Sequence, residues 1–419
     1  MEVVLFEDSL VQQLYPITVG RPAFGVTVGA YRLFDLAKRL GRRLSALVRP
    51  HLAEIAVLDY GLPPADLAAD SILFLNARAV PSVSAMRQLE QRVRTGASGV
   101  VTWEGRVVAA KIDRSSSSSE VPLPSLSSLT AATPDDWRWL AETLALPDWD
   151  ITWPLLEYPH HVIQYHMETI AEHLQDRIAG GGYRQLQDGL FVGENVRIGE
   201  YGTVDASQGP IVIESGAVIG PYSFLRGPVH IGAQAKVIEY AALKDMVTVG
   251  HTTKIGGEIE AAVIEPYSNK QHHGFIGHSY LGSWVNLGAG SCNSDLKNTY
   301  GRVSMVYDGN RVATGMQFLG CIIGDYSKTA VNTAIFTGKV IGVCCMVYGF
   351  VTTNVPSFTN YARVFGQISE VPVDVAAAGQ QRMFVRRNVT QRPCDVQLIR
   401  DMYELTRHER RLGSEPLVL

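Results

Sequence analysis

In this 419-residue chain an aliphatic residue recurs at every sixth position over a long stretch, and this spacing constrains the fold more than any other feature. Ile213, Ile219, Leu225, Ile231, Val237, Leu243, Val249 and Ile255 hold that spacing without a break, and Val192, Ile198 and Val204 hold it in an earlier register. Six is neither the 3.6 of a helix nor the 2.0 of a simple strand. It is the hexapeptide spacing of a parallel β-helix, where each hexad supplies one short strand and one turn and three hexads close a triangular coil. The sixth-position aliphatic then points into the prism, and burying it is worth roughly 1.5–3 kcal/mol. A single coil is bare above and below, so only stacked coils are stable. Glycine often follows the aliphatic, as at Ile219-Gly220, Ile231-Gly232 and Val249-Gly250, where a Cβ would crowd a tight corner.

A shifted register is expected through Val263, Phe275, Leu281 and Leu287, and a last one through Ile323, Ile335, Ile341 and Val347. Between them, Cys292 to Phe318 is polar and breaks the rule. It reads as a loop thrown out of a coil, and loops on rigid scaffolds commonly carry function.

The first 180 residues alternate strand and helix signals. Residues 3–6 and 71–75 are short apolar runs that suit buried parallel strands. Helical spacing marks residues 29–44 and 84–94, the latter with Ser84 as its cap. Residues 99–112 read as a hairpin around Glu104-Gly105, and 114–128 as a low-complexity serine-rich surface loop. An amphipathic helix over 160–180 ends at glycines and joins the two halves, with the histidines of 160–166 on its polar face. The expected organisation is an α/β domain of mostly parallel sheet over residues 1–183, a β-helix over 184–362, and a tail over 363–419 with a helix from Asp395 to Leu412.

Bulk properties exclude several classes. The formal net charge of -4 gives no basic footprint for nucleic acid. The longest apolar run, from Val340 to Val351, is too short to span a bilayer. The first residues lack the basic and apolar regions of a signal peptide. The five cysteines form no zinc or disulfide pattern, Cys344 and Cys345 read as buried thiols, and a reducing cytoplasm is the expected compartment.

Particular residues now matter. GPYSFLR ends at Arg226, IEYAALK supplies Lys244, and the segment from Asn269 to Gly290 holds His272, His273, Phe275, His278 and an Asn-Leu-Gly-Ala-Gly run. In these motifs the chain resembles the family of bifunctional N-acetylglucosamine-1-phosphate uridyltransferases/glucosamine-1-phosphate N-acetyltransferases, and more closely a divergent branch of sugar nucleotidyltransferases. The resemblance implies an α/β nucleotidyltransferase-like (Rossmann-like) domain followed by a left-handed parallel β-helix of hexapeptide repeats. It further implies a homotrimer with its acyl site between subunits. It places the family's catalytic histidine on His272, the sugar wall on Phe275 and Asn286, and phosphate anchors on Arg226 and Lys244. An acetyl-CoA contact falls on Ala289, with Gly290 beside it, and Cys292-Asn293 fits the Cys-Asn that precedes the family's substrate loop, with Lys297 as that loop's cation. An extra partial coil separates Lys244 from His272. In the N-terminal domain the family's glycine-rich phosphate loop is missing, Arg21-Pro22 replaces its Pro-Lys, and Arg78 stands near the position of its magnesium-binding Asp. An arginine cannot bind a metal ion, so a magnesium site would need another carboxylate, such as Glu7 or Asp8. Arg21 either meets a nucleotide phosphate or caps the sheet edge.

Chemistry supports these roles. An ammonium has no lone pair to attack a thioester, so acyl transfer to an amino sugar needs a base, and a histidine near neutral pKa can serve. His273 or His278 takes that role if the register slips, and the three histidines lack the carboxylates of a zinc site. Three functions remain open: acetyl transfer from acetyl-CoA to an amino-sugar 1-phosphate, nucleotidyl transfer to a sugar-1-phosphate with the β-helix as scaffold, and binding of a nucleotide-sugar without turnover.

Overall fold

The sixth-position aliphatics do meet. In the computed structural model, which describes residues 1–113, 129 and 132–412, Ile213 to Ile255 all lie in one buried column with Leu190, Val192, Ile323, Ile335, Ile341 and Val347. The chain winds into a left-handed parallel β-helix with three faces. The first face carries Val218–Ile219, Lys236–Val237, Lys254–Ile255 and Asn269–Lys270. The second carries Phe224–Arg226, Ala242–Lys244, Glu258–Glu260 and Phe275–Gly277. The third is a nine-stranded sheet, parallel but for its first strand Arg184–Gln187, which turns back on Leu190–Val192. Ile198 lies near the open end, where no coil precedes it, and is 38% exposed.

The register beyond Ile255 differs from the sequence expectation by one residue. Val249 pairs with Ile264, fifteen residues on, and Ile264 with Leu281, seventeen on. Ile264 and Ile276 therefore face the core, in place of the expected Val263 and Phe275. Coils shorter than three full hexads shift the inward position, because adjacent side chains point to opposite faces. One complete, shortened coil, that of Glu260, lies between the coil of Lys244 and the coil of His272.

Corner glycines are required by close approach. A Cβ on Gly220 would lie 2.5 Å from the backbone nitrogen of Glu239 in the next coil. The left-handed corner positions go instead to aromatic residues such as Tyr201, Tyr222 and Tyr240, whose exposed rings stack at 5.1 Å spacing. The polar excursion leaves the second face after Cys292–Asn293 and holds a hairpin, Ser304–Tyr307 with Asn310–Ala313. Cys344 and Cys345 are buried thiols, and burial pushes the Cys345 pKa up to about 12.

The chain forms two compact units, Met1–Thr27 with Tyr31–Tyr158, and Val28–Ala30 with Pro159–Leu419. In the first, strands β1 (Glu2–Phe6), β2 (Arg43–Leu47), β3 (Ser71–Asn76), β4 (Gly99–Trp103) and β5 (Arg106–Asp113) lie in the order β2-β1-β3-β5-β4. β1 is parallel to β2 and β3, but β5 is antiparallel to both its neighbours, so the sheet is mixed rather than mostly parallel. The helix expected over 29–44 shrinks to Leu33–Ala37 with a following 3-10 turn, stopped by Gly41 in the left-handed region. The second expected helix spans Val83–Arg94, and its cap is Ser82, whose hydroxyl accepts from the Ala85 amide. The serine-rich stretch 114–128 lies outside the described residues.

In the second unit, the helix His161–Gly180 buries Val162, Ile163, His166, Ile170, His173 and Leu174 at helical spacing. Its histidines do not form a polar face. His160 and His166 are buried, His166 Nε2 donates to the Met246 carbonyl at 2.7 Å, and burial pushes the His166 pKa down to about 4. Among the described residues the tail holds three α-helices where one was expected: Val373–Val385, Pro393–Leu405 and Arg407–Leu412. The last two lie on the final coil, where Tyr403 meets Phe358 and Glu409 accepts from the Ser357 amide at 2.8 Å. The first lies over the first face of the β-helix through Phe384, whose ring is 4.5 Å from Trp284.

Candidate functional site

Outward residues of one face stack in a column, since the coils are in register. Lys236, Lys254 and Asn269 are successive partners on the first face, and isolated bridges carry the column through Asn286 to Lys328. The tail helix Val373–Val385 covers this column and ends at Arg386 and Arg387, and Arg387 donates to the side chain of Asn269. Between them lies a cleft of about 490 Å³ lined by His272, Asn286 and Ala289 together with Lys254, Lys328, Arg386 and Arg387.

The four cations make no salt bridge among the described residues. Burial lowers the pKa of Lys254, and the charges of Arg387, Lys236 and Arg386 lower it further. Burial likewise lowers Lys328 and Arg387. Cations gathered along one cleft can hold a polyanion. His272 is exposed beside it. An imidazole there can take a proton from a nucleophile bound to an anionic molecule.

The structure brings His272, Asn286 and Ala289 together and leaves the other expected residues elsewhere. The Gly290 amide donates to the His273 carbonyl at 3.0 Å, so it is already used within the corner. Arg226 and Lys244 are consecutive rungs of the second face, followed by Glu260 and Gly277. At about 4.8 Å per rung, Lys244 stands two rungs and Arg226 three from the coil that carries His272. Arg226 is held by both oxygens of Asp245, and Lys244 Nζ lies 2.7 Å from Glu258 and 3.3 Å from Glu260. Phe275 lies on the second face, its amide donating to Cys292 Sγ at 3.3 Å. Asn293 is buried with its amide clasping the backbone of Gly277 at 2.9 and 3.0 Å. Lys297 donates to the Arg302 carbonyl within the excursion at 2.7 Å.

Two features that the sequence signals were missed, besides the cations of the cleft. His278 Nδ1 lies 2.9 Å from Asp295 Oδ2, with the His278 ring stacked on Phe318. The signal was available, because a separation of seventeen residues is one shortened coil. Lys270 occupies an inward position in register with Ile255 and is fully buried. A lysine in a hexad column was the clue. The tail cations had no comparable signal, because folding alone brings them to the first face.

In the first unit, Arg78 is fully buried and grips Asp8 with two hydrogen bonds at 2.9 and 2.7 Å, while Asp8 also accepts from Asn76 at 2.9 Å. Glu7 is paired with Arg49 at 2.9 Å and accepts from the Ala23 amide at 2.9 Å. Arg21 is buried, and its carbonyl accepts from Arg49 at 3.2 Å. The carboxylates that could have held magnesium are thus engaged by guanidinium groups. This donor set does not fit a divalent cation.

Residues 3–178 match the family model of sugar nucleotidyl transferases. The bifunctional protein GlmU of Cyanothece sp. (strain PCC 7425) is 28% identical over 187 residues, covering 44% of this chain and 34% of that protein. The bifunctional sugar-1-phosphate nucleotidylyltransferase/acetyltransferase of Sulfurisphaera tokodaii is 29% identical over 143 residues, covering 34% and 36%. The chain thus spans about a third of the length of these relatives. The solved UDP-N-acetylglucosamine acyltransferase of Francisella novicida overlaps 56% of this chain and 79% of that chain at 14% identity and a TM-score of 0.35. The β-helix assignment rests on the strand pairing itself. Among the described residues no helix is long and apolar enough to cross a membrane.

Proposed function

We propose that the β-helix transfers an acyl group from acetyl-CoA to an amino-sugar 1-phosphate, with His272 as the general base. One observation carries this reading: the exposed imidazole of His272 shares a cleft with four cations that form no salt bridge among the described residues. Lys254, Lys328, Arg386 and Arg387 hold phosphate groups in this reading. That role passes to them from Arg226 and Lys244, which are tied to carboxylates on the next face. His272 accepts a proton as the amine nitrogen bonds to the thioester carbonyl carbon. The carbon–sulfur bond then breaks, and the imidazolium returns its proton to the departing thiolate. Asn286 orients the sugar, and Ala289, small at the rim, leaves room for the acyl arm.

The test is incubation with acetyl-CoA and glucosamine-1-phosphate while thiol release is followed. Thiol release should fall at least a hundredfold in His272→Ala; a rate that survives that change dismisses the base.

The family match over residues 3–178 supports a second reading, a sugar-1-phosphate nucleotidyltransferase in the first unit. The Asp8–Arg78 and Glu7–Arg49 pairs weigh against its metal-dependent form. Magnesium-dependent pyrophosphate release from a nucleoside triphosphate and a sugar-1-phosphate separates the two readings. Thermal stabilisation by a nucleotide-sugar without turnover would instead favour a binding protein.

A further inference from the structure

Lys270 stands where Val237 and Ile255 stand in the two preceding coils, in the inward column of the first face. Its side chain is wholly buried. An ammonium there is far costlier than an aliphatic unless each of its N–H groups is met. Three carbonyls meet it: Gly256 at 3.3 Å, His273 at 3.1 Å, and His272, the closest of the three. Two of these acceptors belong to the corner that presents the histidines. Burial pulls the Lys270 pKa down to about 8, with Cys292 opposing the shift.

Other coils clip this corner differently. Ser223 donates to the Gly220 carbonyl at 2.8 Å, and Ser291 and Thr333 donate to the Ala330 carbonyl at 3.3 and 2.9 Å. Each of these hydroxyl residues immediately precedes the strand of the second face. In the coil of His272 that position is Gly274, with φ of +126, and a Cβ there would lie 2.2 Å from the Ser291 carbonyl oxygen. A hydroxyl side chain has no room, so the clip reaches the carbonyls from inside the prism.

We propose that Lys270 is a positioning residue: its buried ammonium clasps the peptide carbonyls of His272 and His273 and so sets the direction in which the His272 imidazole enters the cleft. The inference rests on His272 as the working base, but its first measurement does not need catalysis. In the full-length chain with labelled histidines, Lys270→Met should shift or broaden the imidazole signals of His272 and His273 while the Asp295-held His278 signal stays in place. In the thiol-release assay the same variant should lose at least tenfold in kcat, with the KM for acetyl-CoA changed less than twofold. Lys270→Gln keeps part of the donor set and should fall between. A folded variant whose His272 signal and kcat both match the parent overturns the proposal.

Where neither variant folds, the unsubstituted chain decides. Its Lys270 ammonium should appear as a slowly exchanging signal coupled through hydrogen bonds to the carbonyl carbons of residues 272 and 273, and absence of that coupling overturns the clasp. An inactive parent would remove the acyl-transfer reading while leaving the histidine signals to judge Lys270.

Discussion

Two regions use the same charged side chains in opposite ways. In the first unit, Arg78 and Arg49 are buried against Asp8 and Glu7, and each guanidinium meets a carboxylate inside the fold. In the cleft of the β-helix, Lys254, Lys328, Arg386 and Arg387 face one another, and none makes a salt bridge among the described residues. The first arrangement is closed: its charges are satisfied and an added ion finds no ligand. The second is open, and a bound anion would relieve its repulsion. Charge satisfied internally is architecture; charge left facing a cleft points to a ligand.

Arg78→Met is the hardest strike at the closed arrangement. It leaves the Asp8 carboxylate buried without its partner and should cost about 3–5 kcal/mol, read by denaturant unfolding. A loss well below that range would mean that Asp8 reaches solvent or another donor, and the contrast with the cleft would weaken.

Phe384→Ala tests whether the open arrangement depends on the tail. Removing a buried ring from Trp284 should cost about 3 kcal/mol and free the helix that carries Arg386 and Arg387. Binding of acetyl-CoA, followed by calorimetry, should weaken in step. Unchanged binding would remove the tail from the site.

Acid separates the two kinds of burial. The His166 pKa is about 4 in the fold against 6.5 in the unfolded chain. Its contribution is fully present above pH 6.5 and is lost as pH falls toward 4, because the unfolded chain takes up the proton first. Unfolding free energy of the β-helix unit should drop by up to about 3 kcal/mol across that window from this residue, with His160 and His161 acting in the same direction. His166→Phe should flatten that slope, and an unaltered slope would assign it elsewhere.

The smallest effects are the sharpest test of the contrast. Lys254→Met should raise the stability of the ligand-free chain by about a few tenths of a kcal/mol while weakening anion binding several-fold. Arg226→Met, on the next face and already held by Asp245, should leave kcat/KM within twofold. The reverse pattern would return the phosphate anchor to Arg226.

Much of the scaffold was legible in the sequence because a β-helix is periodic. From Ile213 to Ile255 spacing alone names the inward residues, and all of them are buried. The reading slipped at Val263 and Phe275 because short coils break the period, and a shift of one residue exchanges the inner and outer faces. The site was less legible. His272, Asn286 and Ala289 share the cleft, yet Arg226 and Lys244, one hexad triplet apart in sequence, lie on another face with carboxylates at hand. Asp295 could have been paired with His278 by counting one coil.

The amino-acid order by itself determined the hexad coil, the polar excursion, the long helix His161–Gly180, and the histidine-bearing corner, since each depends on neighbours within one or two turns of chain. Tertiary structure alone decided which charges are quenched and which remain open. Arg78 meets Asp8 seventy residues away, and Arg387 meets Asn269 across more than a hundred. Electrostatic partnership depends on distance in space and on access to water, and neither can be read along the chain.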